Sequence, residues 1–313
     1  MMKLNAVAPP ALVAPTLLVI AAQLQAAAAD GYSTPGYGNN YSPVEVIVRQ
    51  EVEKALAYDR SKGPALIRLF FHDCWIYGCD ASVLLDPSPL NPSPEKVSGA
   101  NIGLRGFDVI DAIKDKLEAA YPGMVSCADI LAFAARDATR YLSVRHIDYN
   151  LTSGRKDGVV SRSRDAENTL PASTFSFAQL KENFATKNFT VEELVVLSGA
   201  HSIGVAHYPS FKDRLEVAND VRDEDVVFKL VAGYGAAAAA NDGRYLNNTY
   251  YHNSLNNKVL FRSDWELTQD TFAKGKLVEY KEKPDKWDSD FAEAMVKLSE
   301  LRADGRYSEI RKK

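Results

Sequence analysis

Apolar residues recur at helical spacing along much of the chain. Val44, Ile47, Val48, Val52, Ala55 and Leu56 fall on one face and predict a helix over 44–58. Pro64 suits the first turn of a second helix, where its missing N–H costs nothing, and that helix carries Leu66 through His72. Residues 107–120 predict a third helix, and Ser126 with Asp129 caps a fourth over 128–141. Ser176 with Gln179, and Thr190 with Glu193, form capping-box patterns ahead of Leu180 and Leu194. Residues 291–301 predict a late helix. Between these lie a Gly-, Tyr-, Ser- and Asn-rich stretch at 31–43 and a loop at 86–98 with four prolines. An alanine run at 236–240 has no readable structure, and no repeat period is present. The pattern predicts a mainly α-helical globule of two lobes.

Composition changes the picture at the N-terminus. Residues 1–29 carry one charge, Lys3, and no acid. Leu12 to Ile20 is mostly apolar, and Ala26–Ala29 precedes Asp30. That order predicts a secretory signal peptide over 1–29. The apolar run is too short, and too interrupted by Pro9, Pro10 and Pro15, to favour a membrane anchor. The remaining chain, 30–313, has the makeup of an ordinary globular domain: 46% of all residues are hydrophobic and 25% charged. A net charge of −4 argues against nucleic acid as a partner. Asn40, Asn150, Asn188 and Asn247 head Asn-x-Ser/Thr sequons, open to glycosylation on an exported chain. The three cysteines, Cys74, Cys79 and Cys127, are an odd number for such a chain.

Two histidine settings carry candidate chemistry. Arg68 and His72 are four residues apart on the second helix and share a face. A neutral histidine there takes a proton from a peroxide and returns it to the departing oxygen. A fixed arginine stabilises the charge that develops as the O–O bond breaks. Spacing alone favours an amphipathic helix with a surface arginine and a structural histidine. His201 lies between Gly199 and Gly204 at the end of an apolar helix. Small neighbours permit close approach of a flat cofactor, but on its own this setting favours a buried histidine bonded to a backbone carbonyl.

The residues around both histidines bear a resemblance. Leu66-Ile67-Arg68-Leu69-Phe70-Phe71-His72-Asp73-Cys74, continued by Gly78 to Asp86, resembles the distal haem motif of class III secretory plant peroxidases. Leu197 to Gly204 resembles their proximal motif. Leu104–Phe107, Val125–Leu131 and Gly154–Gly158 match in order, so the resemblance spans about 37–313. It implies a two-lobed helical haem-peroxidase fold, with a distal lobe over about 37–165, a proximal lobe over about 166–313, and haem b between them. It implies that Arg68 and His72 split peroxide, that Asn101 orients His72, and that His201 binds the iron. Asp264 would bond the other nitrogen of His201 and favour high-valent iron. Pro171 would line the aromatic-donor site. A distal Ca²⁺ would take side-chain oxygens of Asp73, Asp80 and Ser82 and carbonyls of Ile76 and Gly78, and hard oxygen donors suit that ion.

The departures are patterned. The resemblance implies a Cys74–Cys79 disulfide. Tyr41, Tyr121, Tyr208 and Tyr234 stand where two further pairs belong. The family partner of Cys127 falls just past the segment matching Glu309–Lys313, so Cys127 is expected as a free, buried thiol. Ser202 fits a proximal calcium ligand, but Asn247 replaces a carboxylate and Asp242 is out of place. That site is expected to be weak or empty.

The resemblance implies a secreted monomer, in the extracellular space, the cell wall or the vacuole. It would reduce hydrogen peroxide through a ferryl intermediate and oxidise small phenols one electron at a time. The alternative is a haem-binding, wall-associated pseudoperoxidase with little turnover, favoured by the departures. An intracellular ascorbate-type peroxidase is disfavoured by the signal peptide and the retained Cys74/Cys79 loop.

Overall fold

The structure, a computed structural model, describes residues 42–216, 244–303 and 308–312. The expected signal peptide, Asn40, Tyr41, Tyr234, the alanine run and Asp242 lie outside these residues. The described chain is built from helices α1 (Pro43–Tyr58), α2 (Lys62–Tyr77), α3 (Phe107–Ala120) and α4 (Cys127–Leu142), then α5 (Ser163–Thr169), α6 (Phe177–Ala185), α7 (Val191–Ser198) and α8 (Asp213–Glu216). It continues with α9 (Thr249–Leu255), α10 (Arg262–Glu266), α11 (Thr271–Glu282) and α12 (Pro284–Ser299). Two-residue strands β1 (Asp157–Gly158) and β2 (Ser308–Glu309) pair antiparallel, Asp157 opposite Glu309. Among the described residues no helix is long and apolar enough to cross a membrane.

The predicted helices form, with shifted ends. Helix α2 starts at Lys62, two residues before Pro64, and α12 starts at Pro284 rather than Phe291. Both expected capping boxes are present, and Ser42 with Glu45 makes a third at α1. Helix α4 is the hub of the first group. It is buried almost all round. Ala128, Ala132, Ala134, Ala135 and Ala138 let α1 and α2 approach its backbone closely. In the second group α7 packs on α12, and α9 packs on α11.

Trp75 joins the two groups. Its ring stacks on Phe71 at 4.8 Å and lies 4.5 Å from Phe184 and 5.3 Å from Phe189. Its indole N–H donates to Asn183 Oδ1 at 2.9 Å, so the polar edge of this buried ring is satisfied.

A buried ion cluster fixes α1 on α4. Arg136 is fully buried and donates to Glu45, the same carboxylate that completes the α1 capping box. Its Nε donates to Asp137 Oδ1 at 3.0 Å, and Arg49 reaches that oxygen at 3.3 Å. Cys74 and Cys79 are disulfide-bonded, while Cys127 is free and buried, as expected. Tyr121 is buried, whereas Tyr208 is half exposed. The two tyrosines thus sit in unlike environments.

Removing one partner of a buried ion pair strands the others without water, at a cost of about 3–5 kcal/mol. Arg136→Met is therefore expected to lower unfolding free energy by that amount, measured by urea denaturation. An unchanged midpoint would show that Glu45 and Asp137 are compensated elsewhere.

Candidate active site

Helix α2 places Arg68 and His72 one turn apart. The Arg68 Nε donates to His72 Nε2 at 3.2 Å. The other imidazole nitrogen, Nδ1, lies 2.6 Å from Asn101 Oδ1. Asn101 is buried at the end of a 3₁₀ turn over Gly99–Asn101, and its Nδ2 donates to the Glu95 carbonyl at 2.8 Å. That second bond settles the amide orientation, since only the NH₂ group donates. The amide oxygen therefore faces His72, and Nδ1 carries the proton. Nε2 is left as a lone pair beside a guanidinium. Burial, and secondly the Arg68 charge, push the His72 pKa down to about 3. His72 is thus neutral at any physiological pH, with its Nε2 lone pair turned toward Arg68.

His201 lies on a 3₁₀ turn, Gly199–Ser202, that continues α7. Its Nδ1 bonds Asp264 Oδ1 at 2.8 Å, and the buried Asp264 also accepts the Tyr250 hydroxyl at 3.0 Å. Burial acts to lower the His201 pKa, but Asp264 more than offsets it and the net shift is upward. The proton belongs on Nδ1, which leaves Nε2 with a free lone pair. The His201 side chain is 46% accessible, so part of the imidazole is not covered by packed atoms.

The position of His201 depends on Gly199. A Cβ there would lie 2.6 Å from Trp287 Nε1 and 2.7 Å from the Tyr251 hydroxyl. Those groups donate to the last carbonyls of α7: Tyr251 to Val195 at 3.1 Å and Trp287 to Val196 at 3.2 Å. Sequence reasoning missed Tyr250, Tyr251 and Trp287. Their signal was faint, a Tyr-Tyr pair and a tryptophan among ordinary core aromatics.

The predicted cation loop follows α2. Asp73 and Ser82 are fully buried and Asp80 nearly so. Asp73 Oδ2 accepts the Ala81 amide and Asp80 Oδ1 accepts the Ser82 amide. Ser82 Oγ donates to Glu95 Oε2 at 3.2 Å. Asp73 Oδ1 and Glu95 Oε1 are buried with no hydrogen-bond partner. Burial, then the charge of Asp80, raises the Asp73 pKa. Burial, then Asp73 and Asp80, raises that of Glu95 to about 9. Crowded, partly unsatisfied carboxylate oxygens are the chemistry a hard divalent ion offsets. Among the described residues no three His, Cys, Asp or Glu side chains form a metal cluster. Any ion here thus needs the hydroxyl and carbonyl donors as well. The Ile76 carbonyl accepts the Lys187 ammonium at 2.9 Å, and Gly78 is buried beside the Arg302 backbone.

The remaining predicted residues are less tied together. Ser202 Oγ accepts the Asn247 amide at 3.3 Å, but the Asn247 side-chain oxygen caps Thr249 at 2.9 Å. Pro171 is half buried, two residues before Ser173, whose carbonyl accepts the Ser263 amide next to Asp264.

A model of the peroxidase family matches residues 48–283. Peroxidase 2 of Zea mays is 40% identical, with 95% of each chain covered. Peroxidase 5 of Vitis vinifera is 38% identical over 85% of this chain and 84% of its own. Peroxidase 64 of Arabidopsis thaliana is 36% identical over 87% and 89%. The chain belongs to the plant class III peroxidase family. Membership makes it a peroxidase, an oxidoreductase that uses haem iron. The residues present fit that cofactor: His201 offers an acceptor nitrogen on a side chain that is not fully covered, and Arg68 with His72 pairs a guanidinium with a neutral imidazole.

The depressed pKa of His72 sets a pH signature. The rate of reaction with peroxide is expected to stay level from neutral pH down to about pH 4 and to fall as His72 protonates near pH 3, in stopped-flow measurements. An acid limb centred near 6.5, its ordinary value, would show the imidazole in contact with bulk water. The shift also has a stability consequence. Its folded pKa lies below its unfolded one, so between those values the unfolded chain takes up a proton that the folded chain refuses. His72 therefore stabilises the fold above about pH 6.5, and that contribution is lost as pH falls toward 3.

Proposed function

We propose that this peroxidase reduces hydrogen peroxide to water and oxidises two small phenolic molecules by one electron each. The observation that carries the reading is the pair of hydrogen-bond contacts at the two nitrogens of His72. Asn101 holds the proton on Nδ1 and leaves Nε2 a lone pair beside Arg68. His72 Nε2 takes the proton from the near oxygen of peroxide and delivers it to the far oxygen, which leaves as water. The Arg68 guanidinium carries the negative charge that accumulates on that oxygen. His201 would hold the haem iron through Nε2, with Asp264 and Tyr250 fixing its ring. When bound there, the haem supplies the electrons for O–O cleavage and recovers them from the donors. Pro171 would border the path by which a phenol reaches the haem edge.

Asp73, Asp80 and Ser82, with the Ile76 and Gly78 carbonyls, would hold Ca²⁺, the ion competing with Lys187 for the Ile76 oxygen. The unpartnered oxygens of Asp73 and Glu95 support this loop. The Ser202 site remains the weaker of the two, since Asn247 spends its side-chain oxygen on Thr249. Asn150 and Asn188 are exposed, which suits glycosylation on a secreted chain. The haem would lie between the two helix groups, and the protein would act as a monomer.

The reading is tested on the haem-loaded protein. One equivalent of peroxide should change its absorption spectrum rapidly, and a simple phenol should restore it with turnover. His72→Leu should slow the peroxide step by about 10²–10⁴-fold while haem stays bound. His201→Ala should weaken haem retention. A wild-type protein that binds haem without reacting supports the pseudoperoxidase alternative. Chelation of divalent ions should lower the thermal midpoint, because an ion that binds only the folded state contributes about 2.7 kcal/mol at a hundred times its Kd.

A further inference from the structure

The acidic loop is tied to the far end of the chain. Arg311 is buried, and its guanidinium donates from Nη2 to the Ala81 carbonyl at 2.6 Å and from Nη1 to the Gly158 carbonyl at 3.4 Å. Its backbone N–H donates to Asp157 Oδ2 at 2.9 Å. Asp157 is fully buried. It also accepts the Cys127 and Ala128 amides, at 3.1 and 2.9 Å, and so caps α4 from a distance. Gly158 donates its amide to the Asp80 carbonyl at 2.7 Å. One arginine therefore joins β2, the start of α4 and the Asp80–Ser82 turn.

The residue it grips is the strained one. Ala81 has φ +56°, a left-handed backbone between Asp80 and Ser82. A residue with a Cβ holds that conformation only when its surroundings determine it. Two of the groups that do so are Asp73, which accepts the Ala81 amide, and Arg311, which takes the Ala81 carbonyl. This peptide sets the directions of the two donors on either side of it.

We propose that Arg311 is a positioning residue for a divalent cation held by Asp73, Asp80 and Ser82. By fixing the Ala81 peptide it preorganises the loop, and it couples cation binding to docking of the segment over 308–312. The inference rests on the cation-loop reading above. It extends that reading to a residue 230 positions away in sequence from Ala81, in no contact with the proposed ion.

Two effects of Arg311 oppose each other, and their signs separate position from charge. Removing a positive charge beside a cation site tightens binding. Removing a group that orients the ligands weakens it, typically by about 10–100-fold. Calorimetric titration of chelator-stripped, haem-loaded protein with Ca²⁺ reads the difference. Arg311→Gln is expected to weaken Ca²⁺ binding by about 10–100-fold. Arg311→Lys keeps the charge but cannot reach two carbonyls at once, so it should weaken binding similarly. Unchanged or tighter binding in Arg311→Gln, or wild-type affinity in Arg311→Lys, overturns the proposal. Wild-type protein that binds no Ca²⁺ overturns the cation-loop reading, and this inference with it. A variant that does not fold leaves a reciprocal test on the wild type. Linkage requires that an ion which benefits from the docked segment also holds it. Ca²⁺ should then slow hydrogen exchange at the Arg311 and Gly158 amides, and equal exchange with and without the ion refutes the coupling.

Discussion

The bond between His72 and Asn101 is the interaction on which the site depends. It does one chemical thing: it keeps the proton on Nδ1, so that Nε2 faces Arg68 as a base. Its own support is long. Asn101 is oriented by the Glu95 carbonyl, Glu95 receives the Ser82 hydroxyl, and Ser82 sits in the turn that Arg311 holds through Ala81. A continuous polar path thus runs from the C-terminal strand to the base. In a low-dielectric interior such a path stays in place only when its members are satisfied. Asp73 Oδ1 and Glu95 Oε1 have no hydrogen-bond partner, and the proposed cation would supply one.

The other side of the site rests on close packing around a short turn. Gly199 admits the Trp287 and Tyr251 rings against the end of α7, and those rings satisfy its last carbonyls. His201 follows two residues later, and Asp264 with Tyr250 turns its ring. A charged acceptor on Nδ1 makes Nε2 electron-rich, which is what an iron in a high oxidation state requires of its ligand.

Where the chain lacks covalent links, polar ones stand. Cys127 is a free thiol at the start of α4, and Asp157 and Arg311 hold that junction by hydrogen bonds instead. The fully buried Arg136 ties α1 to α4 in the same way. Such contacts are directional, so they specify one arrangement. They do not shrink the unfolded ensemble as a disulfide does. The Cys74–Cys79 bridge closes the segment that carries Ile76 and Gly78 and anchors the start of the turn that bears Asp80 and Ser82.

The sequence by itself determined whatever lies within a helical turn or a motif. Arg68 and His72 share a face because they are four residues apart. The capping boxes at Ser176 and Thr190 are local bonds, and the motifs around His72 and His201 identified the family. Tertiary structure decided the rest. The short helices α5, α9 and α10 have no periodicity to read, because they are held by packing rather than by an amphipathic face. The partners of Glu45, Asp157, Asp264 and Gly199 come from distant parts of the chain. A periodic pattern reports neighbours only a few positions away. Arg311 has no partner readable within a few positions of sequence, and only the path of the backbone, which brings β2 beside β1, sets its guanidinium against Ala81.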